Sequence, residues 1–194
     1  EPIREGMRAL GYETTLVPNG CDLPLPTHIN DADEELRDHL EFTGNILGFV
    51  GNLEAKIDIA LLSRLAKSFP DCRIVLIGST HANPAVLSLR EHPNVRMPGI
   101  VPYDRLGAWL SRFSVGLIPH RRMELTRYMN PLKAYVYLAN DIPVVATCVP
   151  NIEPVSGLVT VAQDAASRRH GWAARLDPHV DALGPAGIGK GRGK

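Results

Sequence analysis

Asn130-Pro-Leu-Lys-Ala-Tyr-Val-Tyr-Leu-Ala-Asn-Asp-Ile-Pro-Val-Val-Ala-Thr147 holds a helix start, a helix, a turn and a buried strand in succession. Asn130 is a preferred N-cap residue, and Pro131 has its φ already set for a first helical turn. Leu132, Tyr135, Val136 and Ala139 recur at i, i+3, i+4 and i+7, which predicts one apolar face. Asn140-Asp141 ends the helix, and Pro143–Ala146 reads as the strand that follows. Lys133 is out of place in this pattern, because the first helical turn lies in the positive end of the macrodipole. Arg121, Arg122 and Arg127 precede it, so residues 119–133 hold four basic residues against the single acid Glu124. The unpaired N–H groups of a helix N-terminus already attract anions, and basic side chains gathered there make sense if a phosphate occupies it. The alternative is a solvated basic loop.

Outward from this stretch the chain alternates strands and helices. Ile46–Val50, Arg73–Gly78, Asn94–Met97, Val115–Ile118 and Leu158–Val161 read as strands, mostly apolar throughout. Between them, helices are expected over Ile57–Phe69, near Pro84–Arg90 and over Tyr103–Phe113. Continuous apolar strands separated by single helices predict an α/β, Rossmann-like parallel sheet with helices on both faces. Residues 1–12 look like the end of a helix stopped by Gly11, and Thr14–Val17 like a short strand running into the Pro18-Asn-Gly20 turn. Residues 23–44 are read as linker and surface, with one polar helix near Asp33–Phe42. A last helix is expected over Ala165–Arg175, and the glycine-rich tail 184–194 is expected to be disordered. The divisions are thus 1–22 as the remnant of a preceding domain and crossover, 23–44, 45–183 as the Rossmann-like domain, and the tail.

The 194 residues suffice for a full hydrophobic core. Their 21 basic and 21 acidic residues provide no global field to attract a polyanion, which argues against nucleic-acid binding. Anion recognition must then be local. Cys21, Cys72 and Cys148 suit reduced thiols, and no Cys/His cluster suggests a metal site. No apolar run approaches a transmembrane span and no signal peptide opens the sequence, so a cytoplasmic protein is expected. In a parallel sheet, ligands bind beyond the carboxyl ends of the strands. The loops that matter are therefore Gly51–Lys56, Gly78–Ala82, Gly99–Tyr103 and Pro119–Asn130.

These same residues resemble the nucleotide-sugar-binding, C-terminal half of GT-B fold glycosyltransferases, in particular the GT4-like (group 1) enzymes of cell-envelope polysaccharide synthesis. Val17-Pro-Asn-Gly-Cys-Asp22, Leu47-Gly-Phe-Val-Gly-Asn-Leu53, Phe69–Gly78 and Pro93–Tyr103 carry the likeness, together with Asn130–Thr147. The resemblance implies transfer of a sugar from a nucleoside diphosphate donor to an acceptor hydroxyl, without a metal or other cofactor. It places the base near Gly99–Val101 and Tyr103. It places the diphosphate against the helix start at Asn130 and Lys133, with Lys56 neutralising charge. Gly51, Asn52, Gly78, His120 and Arg121 complete the expected donor site, in which fixed positive groups stabilise the leaving diphosphate. No catalytic base is assigned. A glycan or lipid-linked acceptor is expected to be presented through an N-terminal domain absent from this sequence, so the chain alone is expected to be inactive. Peripheral association with the inner membrane face and homodimerisation are both left open.

Several positions depart from the family pattern. Val136 replaces the glutamate that accepts hydrogen bonds from the donor ribose, which should cost about 1.5–3 kcal/mol, or roughly ten- to a hundred-fold in affinity. Asp141 replaces a glycine after the helix, and Asn52 replaces a residue that is often basic. A second function class therefore stays open: a non-catalytic nucleotide-binding or interaction module that keeps the fold. A nicotinamide-dependent oxidoreductase is disfavoured, because Gly48-x-x-Gly51 lacks a third glycine and no acid ends the second strand.

Overall fold

The structure, a computed structural model, describes residues 2–15, 17, 19–21, 25, 33–147 and 157–161. Its strands are β1 (Ile46–Val50), β2 (Arg73–Ile77), β3 (Val95–Gly99), β4 (Val115–Ile118), β5 (Val144–Ala146) and β6 (Val159–Val161). They form one sheet in the order β3-β2-β1-β4-β5-β6, and every neighbouring pair is parallel. The order reverses between β1 and β4, and in such sheets ligands bind beyond the carboxyl ends of the strands at that switch point.

Alternation along each strand divides the core between two faces. Leu47, Phe49, Ile74, Leu76, Val115, Leu117 and Val145 pack on one side, under α3 (Ile59–Ser68) and a 3-10 helix at Pro84–Glu91. Ile46, Val75, Ile77, Ile118, Val144 and Ala146 face the other side, against Trp109 and Leu110 of α4 (Tyr103–Leu110) and Tyr137 of α5 (Leu132–Ala139). Both faces are buried, which explains why these strands read as unbroken apolar runs. On the second side the central strands carry glycine where a ring must fit. A Cβ at Gly48 would stand 2.0 Å from the Phe113 ring, and one at Gly116 would stand 2.4 Å from the Tyr137 ring.

The expected strands and helices are present within one to three residues: α1 (Pro2–Ala9) ends short of Gly11, α4 stops at Leu110 rather than Phe113, and the helix at Pro84 is 3-10. Thr14 and Thr15 lie in no strand, and Val17 is exposed, so the short strand expected over Thr14–Val17 is not seen among its described residues. The helix expected near the surface is α2 (Glu34–Glu41), capped by Asp33, and it carries Leu36 and His39 into the core beside Trp109. The apolar face of α5 is not the one its spacing predicts. Ala134 and Tyr137 are buried, whereas Leu132 is 46% exposed and Val136 only packs at the core edge. Pro131 rather than Asn130 occupies the N-cap position, with no side-chain cap. A 3-10 turn at Glu124–Tyr128, unforeseen in the sequence, precedes it. The expected helix 165–175 and the tail 184–194 lie outside the described residues, as do parts of 23–44.

Candidate functional site

The loops after β1, β2 and β3 are laced to one another by backbone hydrogen bonds. Gly51 N–H donates to Ile77 O at 2.9 Å, Leu53 N–H to Ser79 O at 2.9 Å, and Gly78 N–H to Gly99 O at 2.7 Å. Gly51 and Gly78 have φ of +135° and +141°, a conformation open essentially to glycine alone. Gly78 also has no room for more, since its Cβ would lie 2.1 Å from the Gly51 carbonyl oxygen. These glycines let three strand ends converge on one backbone-lined floor.

The loops after β1 and β4 are tied across the switch point. Asp58 N–H donates to Pro119 O at 2.8 Å and Arg121 N–H to Lys56 O at 2.7 Å, while Ile57 and His120 form an isolated antiparallel bridge. His120 is thereby buried, 3% exposed, with its Nε2 unpartnered. Burial, then the charges of Lys133 and Lys56, push its pKa down to about 3, so the ring is neutral.

Lys133 reaches this place from the first turn of α5. Its Nζ lies 4.9 Å from the centre of the Phe49 ring and would be 3.4 Å from a Cβ on Gly51. Burial and the charge of Lys56 lower its pKa to about 8, against a smaller opposing effect of Glu54. Glu54 is already engaged, because Lys56 Nζ donates to its Oε2 at 2.9 Å. That hydrogen bond and charge, helped by Asn52, hold the Glu54 carboxyl below its ordinary value. Among the described residues no carboxylate pairs with Lys133. The first turn of α5 also has neither a side-chain cap nor an acid, whereas Asp33 and Asp58 cap α2 and α3.

Tyr137 fixes the depth of α5. Val50 N–H donates to its buried hydroxyl oxygen at 2.8 Å, and burial pushes the phenol pKa up. The Asn19 side chain, from the distant Pro-Asn-Gly segment, donates to Asn130 O at 3.0 Å. Asn130 in turn donates from Nδ2 to the Tyr135 hydroxyl at 3.3 Å, so it ties two segments together instead of capping the helix.

Gly51, Lys56, Gly78, His120 and Lys133 are thus brought together, and Asn52 belongs to the same loop. Arg121 and Arg122 are exposed, whereas Lys56 and Lys133 face His120. Val101 and Tyr103 lie beyond β3, two strands out from β1, with Tyr103 54% exposed at the start of α4. Sequence reasoning missed Glu54, Phe49, Asn19 and Tyr137. The Lys56–Glu54 spacing was the available hint for the first; the others depend on contacts distant in sequence. Among the described residues no group of three or more His, Cys, Asp or Glu could hold a metal ion, and no helix is long and apolar enough to cross a membrane.

A doubly wound parallel sheet with a glycine-floored, cationic crevice at its switch point is the architecture of a GT-B glycosyltransferase's Rossmann-like half. The chain belongs to the family Glycosyl transferases group 1, whose profile matches residues 44–170. It is 26% identical over 110 residues to TuaH of Bacillus subtilis (strain 168), named for a glycosyltransferase of teichuronic acid biosynthesis, over 56% of this chain and 28% of that protein. Sucrose-phosphate synthase from Thermosynechococcus elongatus superposes with a TM-score of 0.65 at 20% identity, covering 95% of this chain and 48% of its own. Anabaena Alr3699/HepE in complex with UDP-glucose does so with a TM-score of 0.59 at 15% identity, covering 87% and 49%. The chain therefore spans about half the length of these solved relatives and less of the curated one.

Proposed function

We propose that this domain binds the nucleoside diphosphate of a sugar donor across the β1/β4 switch point and serves as the donor half of a glycosyltransferase in glycan synthesis. The observation that carries this reading is Lys133, a largely buried ammonium in an uncapped helix start, beside a second lysine and without a carboxylate partner among the described residues. Burying a cation this way is unfavourable in an empty protein and favourable once an anion arrives. A diphosphate fits because a helix N-terminus, two ammonium groups and the floor made by Gly51 and Gly78 converge on one place. A solved relative of the same fold, Anabaena Alr3699/HepE, holds UDP-glucose.

In this reading the negative charge that develops on the departing diphosphate meets donors already in position. The two lysines, rather than a metal, supply the positive charge. The acceptor, a glycan or lipid-linked saccharide, and the catalytic base would come from residues outside this domain, so the isolated chain binds donor without transferring it. A cytoplasmic setting suits such a donor. Val136 favours a second reading, a nucleotide-binding module without transfer activity. That module would bind donor yet release no free nucleoside diphosphate, even with an acceptor domain supplied.

The test is calorimetric titration of the chain with UDP, GDP and ADP up to millimolar concentration. One of the three is expected to bind, and Lys133→Met to weaken it about ten- to a hundred-fold, the loss of a charged hydrogen bond. No heat and no shift with any of the three would overturn the reading.

A further inference from the structure

The donor-binding reading leaves one buried group of the site unexplained, and the inference that follows rests on that reading. His120 is fixed through its backbone: its N–H donates to Ile118 O at 3.0 Å, its carbonyl accepts from the Thr147 hydroxyl, and it bridges Ile57. Its ring is thereby held where the β1–α3 loop meets α5, buried, with Nε2 lacking any hydrogen-bond partner. A buried polar nitrogen without a partner is uncommon and costs free energy, so it calls for a reason. The charged groups facing it are Lys133 from α5 and Lys56 from the β1–α3 loop; Glu54 lies beyond Lys56 and is bound to it.

We propose that His120 is a conditional anion ligand: neutral in the empty protein, it takes a proton from solvent as the donor diphosphate arrives, and its Nε2–H donates to a phosphate oxygen. The balance is one proton taken from water per donor bound, with no covalent bond made or broken. Burial, then its two ammonium neighbours, explain the neutral ring of the empty site. A bound diphosphate offsets those ammonium charges and places negative charge beside Nε2, which favours the imidazolium. The unpartnered nitrogen is then a reserve donor, inserted only when an anion is present to accept from it. Sugars or nucleosides without phosphate would not recruit it.

Calorimetry at pH 6 in two buffers of different ionisation enthalpy tests this on the full chain, with UDP-glucose, GDP-mannose and ADP-glucose as probes. Their diphosphates carry no titrating proton in this range, and Lys133, with its pKa near 8, is already charged at pH 6. The expected result is uptake of close to one proton per donor, with affinity falling up to about tenfold as pH rises by one unit. His120→Gln should abolish the uptake and flatten the pH dependence. If that variant does not fold, nitrogen NMR of labelled imidazoles in the unaltered chain gives the same answer. His120 should move to the imidazolium shift on binding while buried His39 stays neutral. Binding without proton uptake, or a bound His120 that remains neutral, overturns the inference and leaves donor binding intact. No binding by any of the three probes overturns the donor reading itself, and the inference falls with it.

Discussion

Lys133 separates function from stability at the scale of one residue. Its folded pKa lies below its unfolded one, so near neutral pH the unfolded chain holds that proton more favourably and the empty fold is penalised. Lys133→Met removes the charge and keeps a flexible chain over the Phe49 ring, where sulfur packs well. The variant should therefore melt higher while binding donor more weakly, and a thermal melt beside the titration checks both. Val136 tests the other end of the motif. Val136→Glu should strengthen donor binding by roughly ten- to a hundred-fold if α5 lies along the ribose. Unchanged or weaker binding would place the ribose elsewhere. Tyr137 is a positioning residue: Tyr137→Phe leaves the Val50 N–H without its acceptor and should cost about 1–3 kcal/mol, read by urea denaturation.

Elements reach the site through the turns that end the strands. The β2 turn is the most constrained, because Gly78 needs a glycine-only backbone and touches the β1 turn at Gly51. Gly78→Ala should cost about 2–6 kcal/mol, combining roughly 1–3 for backbone strain with 1–3 for overpacking. Any folded fraction should bind donor weakly, since the floor formed by Gly51 would be displaced; denaturation and titration of the same sample measure both effects. The turn after α5 shows the milder case. Asp141 takes φ +56°, where relatives are expected to carry glycine, and aspartate is among the few residues that tolerate that conformation. The element survives the substitution for this reason.

Over the whole molecule, two buried histidines among the described residues, His39 and His120, weaken the fold in acid. His39 stacks on Trp109 with its Nε2 2.8 Å from the Trp109 carbonyl, and burial lowers its pKa to about 4 from 6.5. His120 is lowered to about 3. Both folded values lie below the unfolded value, so these two groups leave stability unchanged above pH 6.5 and lower it as pH drops towards 4. In that window the unfolded chain takes up protons that the folded chain cannot, at up to about 1.4 kcal/mol per pH unit for each histidine. Denaturant midpoints between pH 7 and pH 4.5 should fall steeply, and His39→Gln should remove about half of the slope.

The sheet, and the end of it where a ligand was expected, could be read from local sequence. Apolar runs such as Ile46–Val50 and Ile74–Ile77, separated by helices, suit burial on both faces of a parallel sheet, and glycines at 51 and 78 mark where its ends turn. Lys133 could be singled out for the same local reason, a cation set against the helix dipole. The tertiary structure alone decided which neighbours that lysine has. Arg121 and Arg122 are adjacent to the motif in the chain but remain exposed, while Lys56 and His120 come to it across the β1/β4 switch point. The face of α5 was misread because its spacing allows more than one apolar stripe. The choice fell to Tyr137, whose ring fills the space left by Gly116 and whose hydroxyl accepts from Val50. Local propensity and periodicity act within a few residues, so they are written in the sequence. Burial, pairing and the loss of water around a charge arise between residues that only the fold brings together.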